Sequence, residues 1–575
     1  MPLLERLLLR GHIDRIKSAD QDINASLQEH WQAHNLVLIV GAVGAVTRLI
    51  APRIEGKEQD PAVLVLDPKG DFVIPLLGGH SAGAEQRARE IAMDLGGQAV
   101  ITGACAHENR LPLDAFGEGW GWRRRGTVAG WRDLMVRQAQ GGSIGFHQSS
   151  GCSGWQCPEH QPLLRKVGPE AAELFIGSRR HGDCQWHPAT LWIGIGCERN
   201  TSLSLIETAI AKALDSAGLA EEAVAGIASA ERKSDEAALQ QLSQTKAWPF
   251  RSFHEQHLAS IAVPTPSEVV RREMGTASVA EAAALLAAGD KSVLIQPKQI
   301  SHSSVGEKGA VTVAIAEAPL PHAPERGELH LIGSGPGDPS LLSGDAKSAL
   351  SRCCAWVGYS LYLDLLEPLR RPDQIRFDGQ LTREWDRCAE ALQLAQQGAK
   401  VALISSGDSG IYGMAGLALE LLLQKPEQDR PSFTVHPGIS ALQLAAARAG
   451  APLMHDFCSV SLSDRLTPWA VIEKRLEAAA AGDFVVALYN PRSKGRDWQL
   501  GHARDILLKQ RPPTTPVMLA RQLGRTEESL HLTSLENLKP EMVDMLTLVL
   551  IGNSSSRTDD GWMVTPRGYP GASLQ

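Results

Sequence analysis

The chain is 575 residues long, 43% hydrophobic, and carries a formal net charge of −8. At roughly 150 residues per domain this is material for several cored domains, and the acidic balance argues against a broad nucleic-acid surface, which needs clustered Lys and Arg. Nine cysteines scattered over this length fit reduced thiols in a cytosol and not a disulfide scaffold.

The opening segment, MPLLERLLLRGHIDRIKS, has an apolar run broken by Glu5, Arg6 and Arg10. It reads as an amphipathic helix rather than a signal peptide, because no small-residue cleavage site follows. No window reaches the ~18 uninterrupted apolar residues of a membrane span. Three later stretches share one design, a β-branched or Leu-rich run followed by glycines: LVLIVGAVGAV (36–46), LWIGIGCERNTS (191–202) and LHLIGSGPGDPS (329–340). Each reads as a buried strand turning through a Gly-rich loop toward a helix. Three α/β units are therefore expected. Strands at 62–67 and 71–77 flank the turn Pro68-Lys69-Gly70. GGHSAGAEQ (78–86) then opens a helix whose first amides suit an anion.

Residues 149–190 are rich in Gly, Pro, His and Cys, and PLPHAPERG (319–327) carries three prolines. Both have the composition of linkers. Cys152, Cys157, His160, His181, Cys184 and His187 fall in the first, but their spacing fits no standard zinc finger, and no metal site is expected.

In the C-terminal part, GSGPGDPSLLS (333–343) brings three glycines and two prolines to one loop. It is not a dinucleotide fingerprint, since the third glycine is missing, nor a P-loop. Alone it is a strand-to-helix turn. Further strand-and-turn units follow in VALISSGDSGIYGMAGLALELL (401–422), FTVHPGISALQLAAARAGAPLMHDF (433–457), FVVALYNPRSKGR (484–496), LTLVLIGNSSSR (546–557) and MVTPRGY (563–569). Loops at the carboxyl ends of such strands are where open α/β sheets hold ligands.

The set GPGDP, SSGDSGIYGMAG, HPGISALQ, HDFCSVSLSDRLTPW, ALYNPRSKGR, VDMLTLVLIGNS and TPRGY resembles the tetrapyrrole methyltransferases. The closest likeness is to the C17-methyltransferases that contract the ring in cobalamin biosynthesis, which SLSDRLTPW and YNPRSKGR set apart from other ring methylases. The resemblance runs from about residue 329 to the end. It implies two α/β lobes with S-adenosylmethionine folded in the cleft between them, the flat macrocycle above it, and a homodimer. The implied cofactor contacts are Ser406, Asp408, Ile411, Tyr412, Tyr489, Asn490, Thr565 and Pro566. Gly335, Pro336, Gly337 and Asp338 would border the macrocycle and the transferred methyl. Ser409 stands where the family usually has proline, and serine still initiates a turn. Ring contraction needs proton movement, for which Asp464 and Lys494 lead, with Arg465 and Asp456 behind them. A structural ion pair is the plainer reading of each. Arg492, Lys494, Arg496 and Arg567 suit the carboxylates around the ring.

The stretch from residue 36 to 104, and later GIGCERNTS, ASAERKSDEAAL, PTPSEVVRREMGTASVAEAAALLAAG, LIQPKQ and VTVAIA, resemble the cobalt-precorrin-5A hydrolases of the same pathway. Those enzymes open a lactone on the contracted ring and release acetaldehyde. The chain departs from them before Leu36, where it is shortened, and around GWGWRRRGTVAGW, where it has drifted. His80, between a glycine and a helix start, is the first candidate to activate water, with a structural cap as the equal alternative. Glu85, Lys298, Asp235 and Glu236 follow, and Lys233 and Lys298 suit substrate carboxylates. Cys197 has no evident His partner and reads as a packing thiol.

The expected architecture is multidomain α/β. Hydrolase-like α/β units occupy 1–148 and 191–318, linkers 149–190 and 319–327, and a two-lobed tetrapyrrole methyltransferase fold 328–575. The expected ligands are S-adenosylmethionine and a tetrapyrrole, with or without cobalt. The expected setting is cytoplasmic, with no nucleic-acid or membrane partner. A non-catalytic corrinoid-binding role for the N-terminal half is the alternative.

Overall fold

The structure, a computed structural model, describes residues 2–9, 11–16, 23–33, 35–56, 59–79, 82–102, 110–156, 163–303, 309–371, 373–380, 383–493 and 495–569. The segment Pro2–Leu9 is a helix, as its pattern predicts. The first sheet has the order β1 (Leu36–Val40), β2 (Ala62–Leu66), β3 (Phe72–Leu77), β4 (Gln98–Ala99). β2, AVLVL, is buried at every position, as a strand covered on both faces should be. The β2–β3 turn is held by Asp67, which accepts from the amides of Lys69 (2.9 Å) and Phe72 (2.6 Å). The helix Ala84–Leu95 starts and stops at left-handed glycines, Gly83 and Gly96.

The expected linker at 149–190 is not one. Together with residues 110–148 it forms a five-stranded sheet: β5 (Arg123–Arg125), β6 (Ile144–Gln148), β7 (Leu164–Lys166), β8 (Leu174–Ile176) and β9 (Cys184–His187), in the order β5-β9-β8-β6-β7. All five strands have three to five residues, too short for alternation to register. Its core is carried by tryptophans at irregular spacing: Trp120, Trp122, Trp131, Trp155 and Trp186 are all buried. Cys184 and His187 are buried strand residues here, and His187 Nδ1 lies 2.6 Å from the Gly177 carbonyl. Cys157 and His160 lie outside the described residues.

The third sheet has the order β12-β11-β10-β14-β13, from β10 (Leu191–Cys197), β11 (Val224–Ala230), β12 (Phe250–Phe253), β13 (Val293–His302) and β14 (Ala310–Glu317). The fourth is wholly parallel, ordered β17-β16-β18-β15-β19, from β15 (Glu328–Gly333), β16 (Ala355–Tyr359), β17 (Ile375–Gly379), β18 (Lys400–Ser405) and β19 (Ser432–His436). After β20 (Gly450–Ala451) comes the fifth sheet, ordered β21-β22-β25-β23-β24, from β21 (Phe457–Ser461), β22 (Val485–Tyr489), β23 (Pro516–Arg521), β24 (Ser529–Ser534) and β25 (Thr547–Ile551). β26 (Arg557–Asp559) and β27 (Trp562–Val564) pair beside β20. The C-terminal part is thus two α/β lobes, as expected.

The units are packed together rather than strung on hinges. One continuous core cluster contains Leu113, Trp155 and Trp186 of the tryptophan-rich sheet together with Leu329, Val357 and Val401 of the parallel sheet. Backbones touch across that seam: a Cβ on Gly121 would lie 2.6 Å from Gly398 Cα. The second expected linker is also fixed. Ala323 and Pro324 are buried, Ala323 donates its N–H to the Gln396 carbonyl (2.9 Å), and Arg326 donates to the Gly121 carbonyl (2.9 Å).

Trp186 tests this seam. It is fully buried, donates its Nε1–H to the Leu113 carbonyl (2.8 Å) and packs edge-on to Phe116. Trp186→Ala should cost about 3–5 kcal/mol in urea unfolding. A loss below about 1 kcal/mol would be the surface-substitution result and would restore the linker reading.

Candidate functional site

The adjacent parallel strands β15, β18 and β19 all end in glycine-bearing turns: Gly333, Gly407 after Ser405-Ser406, and Gly438 after His436-Pro437. The three backbones touch. A Cβ on Gly333 would meet Gly438 N at 2.5 Å and Gly407 O at 2.9 Å, and one on Gly438 would meet Gly333 O at 2.6 Å. Gly335 and Gly407 exchange both N–H···O bonds, at 3.1 and 2.7 Å. Asp408 locks the arrangement, one carboxylate oxygen accepting from Gly410 N (2.8 Å) and the other from Gly438 N (3.1 Å). Gly333 and Gly438 belong to motifs legible in the sequence but were not expected to form the floor.

Tyr412 and Asn490 carry the wall across to the second lobe. Both hold left-handed backbone, φ 54° and φ 53°, which non-glycine residues adopt at a cost of order 1–3 kcal/mol and which clusters at functional sites. The Tyr412 hydroxyl donates to the Ser459 carbonyl on β21 (3.1 Å), and its ring lies 5.0 Å from that of Tyr489 at the end of β22. The Tyr489 hydroxyl accepts from Leu442 N at the start of the helix Ala441–Ala449 (3.1 Å), and burial pushes its pKa up. Asn490 donates to Ser461 Oγ (3.1 Å). Ile411 and Tyr412 are open to solvent, while Ser409 is fully buried with its hydroxyl unpartnered. The structure therefore gathers Gly335, Ser406, Asp408, Ile411, Tyr412, Tyr489 and Asn490 at one crevice. Thr565 and Pro566 sit apart, past the other end of the helix Ala441–Ala449, where Thr565 N donates to Ala451 O (3.1 Å) and its hydroxyl pairs with Ser556 (2.7 Å).

Pro336, Gly337 and Asp338 bridge to the second lobe: a Cβ on Gly337 would lie 2.7 Å from Gly524 O. Asp338 is exposed and caps Ser340 N (2.8 Å), which holds its carboxyl below the usual range. Asp464, in the loop after β21, accepts from Gln499 Nε2 (3.0 Å). Lys494 and His80 lie outside the described residues. A floor of bare backbone, two tyrosine rings and a carboxylate suits a nucleoside joined to a sulfonium cation. Backbone amides and carbonyls can bind its polar edges, and the rings and Asp408 face positive charge favourably.

A relay through two buried histidines braces this floor. Glu328 meets His330 Nε2 (2.8 Å), His330 Nδ1 meets His436 Nε2 (3.0 Å), and His436 Nδ1 meets Asp345 (2.6 Å). His330, with help from Lys400 at 3.2 Å, pulls the Glu328 carboxyl down to about 2. Burial opposes the charge on His436 and Asp345 supports it.

The N-terminal candidates sit on separate units. Glu85, second residue of the helix Ala84–Leu95, stands over Gly79. Lys298, on β13, donates its ammonium to the Thr265 carbonyl and its N–H to the fully buried Glu281 (3.1 Å). It braces a loop and offers little to a ligand. Glu236 is buried, accepts from Asn200 N (2.9 Å) and faces Arg199 and Lys233 at 3.7 and 3.8 Å, while Asp235 pairs with Arg199 (2.6 Å). Burial pushes the Cys197 thiol up to about 11, an inert packing thiol.

Comparison with known proteins agrees with this division. Residues 25–105 match the family described as cobalamin synthesis G N-terminal, 191–316 the cobalamin synthesis G C-terminus, and 328–539 the tetrapyrrole (corrin/porphyrin) methylases. A probable cobalt-factor III C(17)-methyltransferase of Salmonella typhimurium is 47% identical over 241 residues, 42% of this chain and 99% of that protein. A precorrin-3B C(17)-methyltransferase of Sinorhizobium is 41% identical, over 43% of this chain and 99% of that protein. The crystal structure of the methyltransferase CobJ is 38% identical with a TM-score of 0.40, over 42% of this chain and 100% of that one.

Two outcomes test the site. Gly438→Ala should abolish binding of S-adenosylhomocysteine in calorimetry, since the new methyl meets Gly333 O; unchanged affinity would remove the glycine floor from the site. Glu328 has a depressed folded pKa, so its stabilisation is full above the ordinary 4.5 and is lost as pH falls toward about 2. Glu328→Gln should lower the melting temperature at neutral pH, with the gap to wild type closing below pH 4.5. A gap that does not change with pH would refute the relay.

Proposed function

Through residues 328–539 this chain belongs to the tetrapyrrole (corrin/porphyrin) methylases, and from that premise we propose that it methylates C17 of cobalt-factor III or precorrin-3B and contracts the ring, with S-adenosylmethionine as methyl donor. The observation that carries the reading is the crevice where Gly333, Gly407 and Gly438 touch beneath Tyr412 and Asn490. When bound, the cofactor supplies a methyl already activated on sulfur. The acceptor carbon is part of an electron-rich pyrrolic system and is already nucleophilic. What the chain must add is alignment, and fixed alignment supplies a large share of such a barrier. The glycine floor sets depth, Asp408 fixes the turn that makes it, and the Tyr412–Ser459 bond holds the two lobes in register.

Contraction also moves protons. Asp464 stands in the loop that follows β21, oriented by Gln499, and our reading gives it that task. Lys494 shares it as a second candidate.

For the N-terminal half, which carries both cobalamin synthesis G regions, the proposed activity is opening of the lactone of cobalt-precorrin-5A, with His80 and Glu85 as its candidate residues. One observation favours a non-catalytic corrinoid-binding role instead: the Lys298 ammonium is committed to the Thr265 carbonyl.

Anaerobic incubation with S-adenosylmethionine and cobalt-factor III should give a product one methyl heavier, with NMR placing the methyl at C17 beside a lactone. Asp464→Asn should slow turnover by about a hundredfold with S-adenosylhomocysteine binding intact. A product methylated elsewhere, uncontracted, would sink the assignment. Acetaldehyde release from cobalt-precorrin-5A, lost in Glu85→Gln, separates the hydrolase from the binding module.

A further inference from the structure

Arg496 lies on the loop that leaves β22 after Asn490, on the crevice side of the second lobe. Its exposure is 9%, yet among the described residues it forms no ion pair. Its Nε donates to Ser493 Oγ (3.1 Å), and its Nη1 is buried without a partner. A buried arginine in a structural role looks different. Arg511, also buried, spends its guanidinium on the carbonyls of Gly552, Ala479 and Phe484. The charge of nearby Asp464 favours the guanidinium but makes no ion pair with it: Asp464 is bonded to Gln499, whose own Oε1 is buried and unpartnered. A buried guanidinium without a direct ion pair is costly and is kept where something else pairs with it. Two positions further along the chain is Trp498, which packs against Trp469, itself partly buried on the second-lobe core. Trp469 and Trp498 meet edge to face at 4.7 Å, His502 closes the group at 5.5 Å from Trp469, and Trp498 is 48% exposed.

We propose that Arg496 is the receptor for one carboxylate arm on the rim of the tetrapyrrole, with the Trp469–Trp498 face beside it carrying the ring's edge. The inference rests on the tetrapyrrole reading above. A guanidinium fork matches a planar carboxylate through two parallel N–H···O bonds, which a lysine cannot reproduce. A flat conjugated ring is the natural neighbour of exposed indole. Together they orient the macrocycle by one arm and one face, so its reacting edge meets the glycine floor.

The test is equilibrium dialysis of the full chain, loaded with S-adenosylhomocysteine, against a porphyrin octa-acid and the octamethyl ester of the same porphyrin. Wild type should prefer the acid. Arg496→Gln should bind the acid at least about tenfold more weakly, bind the ester unchanged, and keep its melting temperature and its S-adenosylhomocysteine affinity. Arg496→Lys should recover part of the loss. Acid binding equal to wild type in a folded Arg496→Gln overturns the proposal. Should that variant not fold, Arg496→Lys and the wild-type preference decide, and equal affinity for acid and ester overturns it. A wild type that holds S-adenosylhomocysteine but neither porphyrin fails the tetrapyrrole reading itself.

Discussion

The C-terminal part is organised around a place where no side chain fits. Gly333, Gly407 and Gly438 come from three successive strand ends of one parallel sheet, and their backbones meet within contact distance. A Cβ on Gly333 or Gly438 would press on the neighbouring backbones and force β15 and β19 apart, while Gly407 is needed for its left-handed φ of 68°. The close approach lies at the carboxyl side of the sheet, which is the side where open α/β sheets take ligands. The rest of the site is support. Asp408 ties two of the turns together. The relay from Glu328 to Asp345 holds β15 and β19 in register from inside the sheet, and Ser343 adds a bond to Pro437 O (3.3 Å) from the helix start next to Asp345.

That sheet is also covered from behind in an unusual way. A tryptophan-rich unit lays its core against β15, β16 and β18, so hydrophobic burial on one side and ligand geometry on the other share the same strands. Apolar burial of this kind is worth about 25 cal/mol per Å² and is lost as a block when the seam opens. The parallel sheet is therefore stabilised by a part of the chain that lies before residue 190. Fusion here is a packing relationship and not only a shared message.

Much of the architecture was legible because it obeys simple periods. LVLIV, LWIGIG and LHLIG each became a strand, and the SSGDSGIYG and YNPRSKGR loops came together although Tyr412 and Tyr489, whose rings meet, are 77 positions apart (489 − 412). What was not legible has physical reasons. Residues 149–190 fold through strands of three and four residues and scattered tryptophans, which leave no period to read. Thr565 is set apart from the crevice by a helix length, a separation that a motif string does not carry. Lys298 looked like a ligand because lysine in a polar motif usually is free, but its ammonium is bonded to a backbone carbonyl. The histidine relay went unseen because His330 and His436 are 106 positions apart and become neighbours only through the parallel pairing of β15 with β19.

The placement of the two halves bears on why they are joined. The helix Ala84–Leu95 packs against the helix Gly344–Arg352, with Gln86 bonded to Ser351 O (3.0 Å) at one end and Asp94 beside Gly344 at the other. The helices are thus antiparallel. Glu85 stands at the far end of the pair from the turn Pro339–Leu341 that leads out of the GPGD loop. Nine residues of helix are about 13 Å, and those 13 Å are filled by packed side chains. A macrocycle passing between the two candidate sites would have to leave the surface of one and re-enter the other through solvent. The juxtaposition gains nothing for a direct transfer. It does gain for stability, since the same helix pair that separates the sites buries Glu90 and Ala349 and fixes the start of Gly344–Arg352 beside the glycine floor. The N-terminal unit acts on the C-terminal crevice as a brace.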